Sequence, residues 1–281
     1  MALARSTGGI IVNADSAQLY REIPIISAAP SAADRAEIPH RLYDVRSATS
    51  PCSAADWAAM ARTEIALIHQ SGKLPILVGG TGLYLRTLLD GIAPIPPINA
   101  AIRAQIRSTP VAANFEALQI VDPEAATRLN SADTTRIARA LEVVRSTGRP
   151  LAHWHQHCEG GIVDQVVLRP LILLPPRDWL IARCDRRFAA MLDQGAGEEV
   201  AKLTAMNLNP QLPAMLAIGV REFAAGGTRA EIIARGQIAT RRYAKRQYTW
   251  FTNQPPPHWP RFTIPLDAPG AIEEALTLLG G

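Results

Sequence analysis

The sequence predicts an α/β protein, a parallel sheet flanked by helices and interrupted by an all-helical insertion. Three observations predict it. Ile10-Ile11-Val12 and Leu74 to Val78 are short apolar runs ending in polar or glycine turns, the pattern of buried strands. The second passes through Gly79-Gly80-Thr81-Gly82 into a helical pattern carrying Tyr84, Leu85, Leu88 and Leu89. Strand, glycine turn and helix in that order are the building unit of a parallel sheet. Finally, the proline-rich stretch from Gly91 to Pro97 stops that helix, and the pattern from residue 99 to 147 is helical and rich in Ala, Arg and Glu.

Each element has a local reason. Gly8-Gly9 forms a turn into the first strand, and Asn13-Ala14-Asp15-Ser16 leaves it for a helix or a turn. Residues 54 to 70 have apolar spacing suited to a helix, which Ser71-Gly72 ends. Proline lacks an amide donor and restricts the residue before it, so residues 91 to 97 mark a domain boundary. The helical stretch closes at Thr147-Gly148-Arg149-Pro150, and an apolar strand is expected from Val163 to Leu174. Helices are expected over 177 to 205 and 228 to 252. The domains are therefore drawn as an α/β core, residues 1–95 and 163–281, around a helical insertion, 96–162.

Composition narrows the class. With 48% hydrophobic and 19% charged residues in 281, the chain can bury a sizeable core and does not have the makeup of a disordered protein. There is no apolar run long enough to span a bilayer, and Met1-Ala2-Leu3-Ala4-Arg5 is too quickly polar for a signal peptide. Cys52, Cys158 and Cys184 are scattered and odd in number, which suits neither a disulfide framework nor a four-ligand zinc site. A cytoplasmic protein is expected. His153, His155, His157 and Cys158 lie close together, but alternating spacing beside Gly160-Gly161 reads as a polar loop, and no metal is assigned to it. Net charge is only +4, yet basic residues cluster at Arg136, Arg139, Arg145 and Arg149 and again at Arg241, Arg242, Lys245 and Arg246. Local density of this kind suits a polyanion.

Three segments can carry chemistry. Asp15, just past a strand end, can act as a general base or cap a helix over Ala17-Gln18-Leu19-Tyr20. The turn at Gly79 to Gly82 lets backbone approach a ligand and supplies the Thr81 hydroxyl, or is an ordinary strand-to-helix connection. From Thr240 to Phe251 cations alternate with aromatics, which suits phosphate binding and base stacking, or is a solvated face with aromatics packed inward. There is neither a Gly-x-x-x-x-Gly-Lys-Ser/Thr loop nor the Asp-Asp-x-x-Asp of isoprenoid-chain synthases.

Taken in order, five strings resemble the bacterial tRNA dimethylallyltransferases, also called tRNA isopentenyltransferases. They are Asn13-Ala-Asp-Ser-Ala-Gln-Leu-Tyr20, His40-Arg-Leu-Tyr-Asp-Val45, and Leu77-Val-Gly-Gly-Thr-Gly-Leu-Tyr84. Arg136-Ile-Ala-Arg-Ala-Leu-Glu-Val143 with Thr147 to Leu151 is the fourth, and Tyr243-Ala-Lys-Arg-Gln-Tyr-Thr-Trp-Phe251 the fifth. The resemblance runs from about residue 1 to 260 and implies a P-loop-NTPase-like core. It implies transfer of a dimethylallyl group from dimethylallyl diphosphate to the exocyclic N6 amine of the adenosine 3′ to the anticodon, position 37. The tRNAs concerned read codons beginning with U.

In that family Asp15 matches the base and Thr81 a residue near tRNA and the leaving diphosphate. Arg103 matches a basic residue close to the reacting nucleotide, and Arg183 and Arg187 resemble phosphate-holding arginines. The segments Asp15, Ser16, Ala17 and Gln18, then Thr135, Arg136, Ile137, Ala138 and Arg139, then Leu216 to Arg221 match tRNA-contacting stretches. The target base should be flipped out of the anticodon loop to be reached. The implied partners are the tRNA anticodon stem-loop and dimethylallyl diphosphate, with Mg2+ as cofactor and a monomeric state.

Two departures stand out. The family's opening strand and P-loop, which bind diphosphate and magnesium, do not occur among these residues, and Met1 to Arg5 resembles the tail of the helix after that loop. The expectation is that upstream in-frame sequence encodes the loop, and that the 281 residues alone transfer no prenyl group at an appreciable rate. Glu22 to Pro30 also replaces a family segment that carries a lysine. An alternative reading is a catalytically inactive tRNA-binding relative lacking the diphosphate site; another is a P-loop kinase relative acting on a small molecule.

Overall fold

The structure, a computed structural model, describes residues 1–280. Its contacts divide the chain into two compact units, Met1–Leu88 with Gln165–Gly281, and Leu89–Asp164.

The first unit is built on a three-stranded parallel sheet, β1 (Ile10–Asn13), β2 (His40–Arg41) and β3 (Pro75–Val78), in the order β2-β1-β3. All four residues of the central β1 are buried, as a parallel strand covered on both faces requires. Its register pairs Val12 with Arg41 on one side and with Leu77 on the other. The strand ends therefore finish together, and Asn13 lies level with Val78.

Helix Ala54–Gln70 follows the reading of the sequence closely. Ser53 and Asp56 form a reciprocal capping box at its start, a device worth about 1 kcal/mol. At its other end Gly72 takes a left-handed φ of 71°. Trp57, Ala58, Ala61, Ile65 and Ile68 are its buried stripe. The Trp57 indole stacks on Tyr84 with ring centroids 4.7 Å apart and donates from Nε1 to the Asn13 carbonyl at 2.9 Å. One side chain thus ties this helix to β1 and to helix Gly82–Asp90, which starts at the glycine turn.

The expected strand from Val163 to Leu174 is shorter than its apolar character suggests. Only Ile172–Leu173 (β4) pairs, in parallel with Arg261–Phe262 (β5). Val163–Gln165 is a 3₁₀ turn, and Val167 is 90% exposed. Pro170 withholds an amide from any ladder, so apolar content there is not strand. Beyond it, Arg177–Asp193 and Ala196–Ala205 are separated at Gly195, whose φ is 95°. Helix Arg229–Asn253 has 25 residues and packs along Arg177–Asp193. Gly236 allows this closeness, because a Cβ there would overlap the Phe188 ring.

The second unit is helical. The stretch from 99 to 147 breaks into Ala100–Ser108, Val111–Val121, Pro123–Arg128 and Thr134–Thr147, the first two breaks falling at Pro110 and Pro123. Ile106, Leu118, Ile137 and Leu141 form its core. Buried Asn114 satisfies the helix end before it, donating from Nδ2 to the Ile106 and Thr109 carbonyls at 2.8 and 3.1 Å. Gly148, with φ 71°, closes helix Thr134–Thr147, and a single short turn, Leu151–Trp154, follows it.

Candidate active site

The site forms where β1 and β3 end. Fully buried Asn13 shapes the exit of β1 by accepting the Asp15 amide at 2.7 Å on Oδ1. It also donates from Nδ2 to the carbonyls of Asp15 and Leu42, each at 2.9 Å. The chain is thereby turned, and no helix follows. Asp15 is not an N-cap: its Oδ1 accepts the Ala17 amide at 2.8 Å in a local turn. Of the two readings open in the sequence, the cap is excluded by the backbone.

Opposite, the glycine turn is held as tightly. Thr81 donates its amide to the Ala14 carbonyl at 3.1 Å, while its Oγ1 accepts the Ser16 amide at 3.0 Å and donates to Ser16 Oγ at 3.3 Å. A Cβ on Gly79 would overlap the Ala14 backbone. On the far side the long helix closes in: Gln247 donates from Nε2 to the Gly80 carbonyl at 3.0 Å, and a Cβ on Gly82 would strike the Trp250 indole. The glycines are therefore spaces for neighbouring backbone and for the aromatic-basic helix.

A cleft opens beside Asp15 and Ala17. Ile26 and Ser27, Cys184, Arg187, Phe188 and Met191, Ala217 and Ile218, and Thr240 and Tyr243 line it. Apolar walls raise the Asp15 pKa by desolvating the carboxylate; the amides of Ala17 and Gln18, and then the charge of Arg187, oppose that rise. Tyr243 is also shifted upward, chiefly by burial and next by the Asp15 charge, while its contacts with Thr81 and Gln247 act the other way. A half-buried carboxylate in an apolar cleft, with one arginine and a tyrosine hydroxyl nearby, can accept a proton from a bound neutral nucleophile.

Other residues singled out in the sequence have varied settings. The Gln18 side chain is used internally, donating to the carbonyls of Ser27 and Ala28 at 3.0 Å each. Arg183 is exposed, stacks over Trp179 and pairs with Asp267 at 3.7 Å, and it is not among the residues lining the cleft. Arg221 lies with Arg235 and Arg242 along a second surface cleft. In the helical unit, Ile137 and Ala138 face the core, whereas Thr135 and Arg136 are exposed and Arg139 is half-buried. Arg103 is exposed and stands 3.6 Å from Glu142.

Sequence reasoning did not single out Tyr243 and Gln247 as cleft and turn residues, since their string offered only basic and aromatic character. It also missed Glu199, whose carboxylate accepts the amides of Ile25 and Ile26 at 2.8 Å each and so fixes one wall. A glutamate inside the helical pattern Ala196–Ala205 carried no signal for that contact.

The residues present do not make a magnesium site by themselves. Among the described residues no three or more His, Cys, Asp or Glu side chains converge. Among the described residues the cleft offers one carboxylate, Asp15, already accepting an amide; the other side-chain oxygens there are hydroxyls, those of Ser16 and Thr81 beside it and of Ser27, Thr240 and Tyr243 in the lining. Magnesium prefers six oxygens in near-octahedral array.

A carboxylate and a hydroxyl at the carboxyl ends of adjacent parallel strands, beside an apolar cleft, lie where enzymes of the α/β class bind their ligands. Comparisons with known proteins make this specific. Residues 18–254 match the family described as IPP transferase. The tRNA dimethylallyltransferase of Erythrobacter litoralis is 57% identical over 268 residues, which cover 93% of this chain and 84% of that one. That of Novosphingobium aromaticivorans is 55% identical, with coverage of 92% and 93%. Among solved structures, the tRNA isopentenylpyrophosphate transferase of Bacillus halodurans superposes with a TM-score of 0.67 at 29% identity, covering 99% of this chain and 90% of that one. A eukaryotic dimethylallyltransferase described as acting on tRNA gives 0.74 at 27% identity, with coverage of 88% and 64%. The chain belongs to the IPP transferase family.

Proposed function

We propose that this protein is a tRNA dimethylallyltransferase in which Asp15 is the general base. The supporting observation is its carboxylate: desolvated, held by the Ala17 amide, and facing a cleft at the strand ends. The acceptor is the exocyclic N6 amine of the adenosine 3′ to the anticodon, position 37, in tRNAs reading codons that begin with U. That amine is a poor nucleophile because its lone pair is conjugated into the ring. Asp15 takes one N6 proton as nitrogen bonds to C1 of the dimethylallyl group, and the C1–oxygen bond to diphosphate breaks with its electron pair leaving on oxygen.

Thr81 and Ser16 keep the two strand-end loops in register, and Thr81 presents its hydroxyl beside the departing diphosphate. Arg187, at the cleft, and Arg183 supply positive charge to phosphate. In the first unit Asp15 to Gln18 and Arg221 contact tRNA, and in the helical unit Arg103 and Thr135 to Arg139 do so, with Gln18, Ile137 and Ala138 acting through backbone placement. Magnesium is the cofactor expected with the diphosphate, where it would offset negative charge on the leaving group. The protein works as a monomer in the cytoplasm; no helix among the described residues is long and apolar enough to cross a membrane.

The test is incubation of the complete gene product with labelled dimethylallyl diphosphate and unmodified tRNA. Label recovered in N6-dimethylallyladenosine after digestion is expected, and lost with Asp15→Ala while tRNA binding persists. Absence of label from tRNA would refute the activity, and unchanged turnover in Asp15→Ala would remove Asp15 from the mechanism.

A further inference from the structure

Within the helical unit one buried carboxylate gathers three arginines. Glu142, on helix Thr134–Thr147, has no exposed side-chain surface. Arg107 donates from Nε to its Oε1 at 2.8 Å. Arg103 Nε and Arg139 Nη1 stand 3.6 and 4.0 Å from Oε2, which has no hydrogen-bond partner.

This is more charge than a core contact needs. A buried carboxylate is costly unless paired, and Arg107 alone balances its charge and bonds one of its two oxygens. The further two arginines repel the first and one another, leaving two positive charges in excess around one anion. All three side chains are at least partly exposed, at 49% for Arg103, 62% for Arg107 and 37% for Arg139. A guanidinium has five donors, and at 3.6 and 4.0 Å Arg103 and Arg139 are beyond ordinary hydrogen-bond length from Glu142. Their donors remain for a second anion outside. Arg103 and Arg107 are one helical turn apart and face the same way, so the three cations crowd one patch fixed from within.

We propose that Glu142 is a positioning residue that aims Arg103, Arg107 and Arg139 as a clamp on backbone phosphate of the bound RNA, with Arg107 a further phosphate-binding residue. This rests on the tRNA reading above. The glutamate lowers the net charge of the patch yet strengthens RNA binding, because it sets where the guanidinium forks point. A merely structural or merely neutralising glutamate would behave otherwise.

The experiment measures binding of a fluorescent anticodon stem-loop to the 281-residue chain across a salt series, with circular dichroism to check folding. Arg107→Ala is expected to weaken binding about tenfold and to lower the slope of log affinity against log salt by about one. An unchanged slope and affinity would overturn its role. Glu142→Gln raises net charge by one, so simple electrostatics predicts tighter binding; the positioning role predicts weaker binding, and equal or tighter binding refutes it. If Glu142→Gln does not fold, Arg107→Lys decides. It keeps the charge but loses the Nε donor, so weaker binding at an unchanged slope is expected, and wild-type affinity counts against the clamp. Failure of the unaltered chain to bind at low salt would instead overturn the tRNA reading itself.

Discussion

The Ser16 amide donates to the Thr81 hydroxyl at 3.0 Å, joining strand-end loops 65 residues apart in sequence. Thr81 is thus a tie between the loop carrying Asp15 and the glycine turn as well as a hydroxyl donor. Thr81→Val removes the acceptor and leaves a half-buried amide unpaired, at a cost of about 1–3 kcal/mol. Prenyl transfer should fall about a hundredfold through misplacement of the base, while Thr81→Ser should retain most stability and activity. Thermal unfolding and turnover of the two variants check this; equal behaviour would dismiss the tie.

The base role proposed for Asp15 has a counterpart in stability. Burial raises its folded pKa above the unfolded value. The folded state therefore binds the proton more tightly, so this group's contribution is fully present below the unfolded pKa and is lost as pH rises through the folded one. Asp15→Asn, which keeps an oxygen for the Ala17 amide, should raise Tm at neutral pH and leave it nearly unchanged in acid. Turnover should drop about 10²- to 10⁴-fold. In the unaltered enzyme, transfer should rise with pH through an apparent pKa above the ordinary aspartate range. A lower Tm at neutral pH for the variant would contradict the desolvation of Asp15.

The glycine turn should tolerate no side chain. Gly79→Ala places a methyl into the Ala14 backbone and Gly82→Ala into the Trp250 ring. Overpacking of this kind costs about 1–3 kcal/mol. Denaturant midpoints report it, and Gly82→Ala combined with a smaller residue at Trp250 should recover part of the loss if the clash is the cause.

Glu199 bears on the cleft wall. Glu199→Ala orphans the amides of Ile25 and Ile26, at about 1–3 kcal/mol each, and frees the segment that contributes Ile26 and Ser27. Hydrogen exchange at those two amides should accelerate, with little change at the helical unit. Unaltered protection would mean the carboxylate does not hold the wall.

Several elements were legible from local sequence because their causes are local. Helix Ala54–Gln70 carries its own cap, apolar stripe and terminating glycine, and the strand, glycine turn and helix around Thr81 follow from residue type. The expected strand before β4 was misjudged because apolar content does not supply a pairing partner, and Pro170 forbids part of the ladder.

The sequence by itself determined the α/β class, the helical stretch, and Asp15 and Thr81 as candidates through strings with chain-local order. Only the tertiary structure decided whether Asp15 caps a helix or faces a cleft. It also brought Tyr243 and Gln247 to the glycine turn and set Glu199 under the wall and Glu142 beneath three arginines. The physical reason is separation along the chain: Gln247 and Gly80 are 167 residues apart, and Glu199 and Ile25 are 174. A hydrogen bond across such a span leaves no periodicity in either segment, and packing alone brings its partners together.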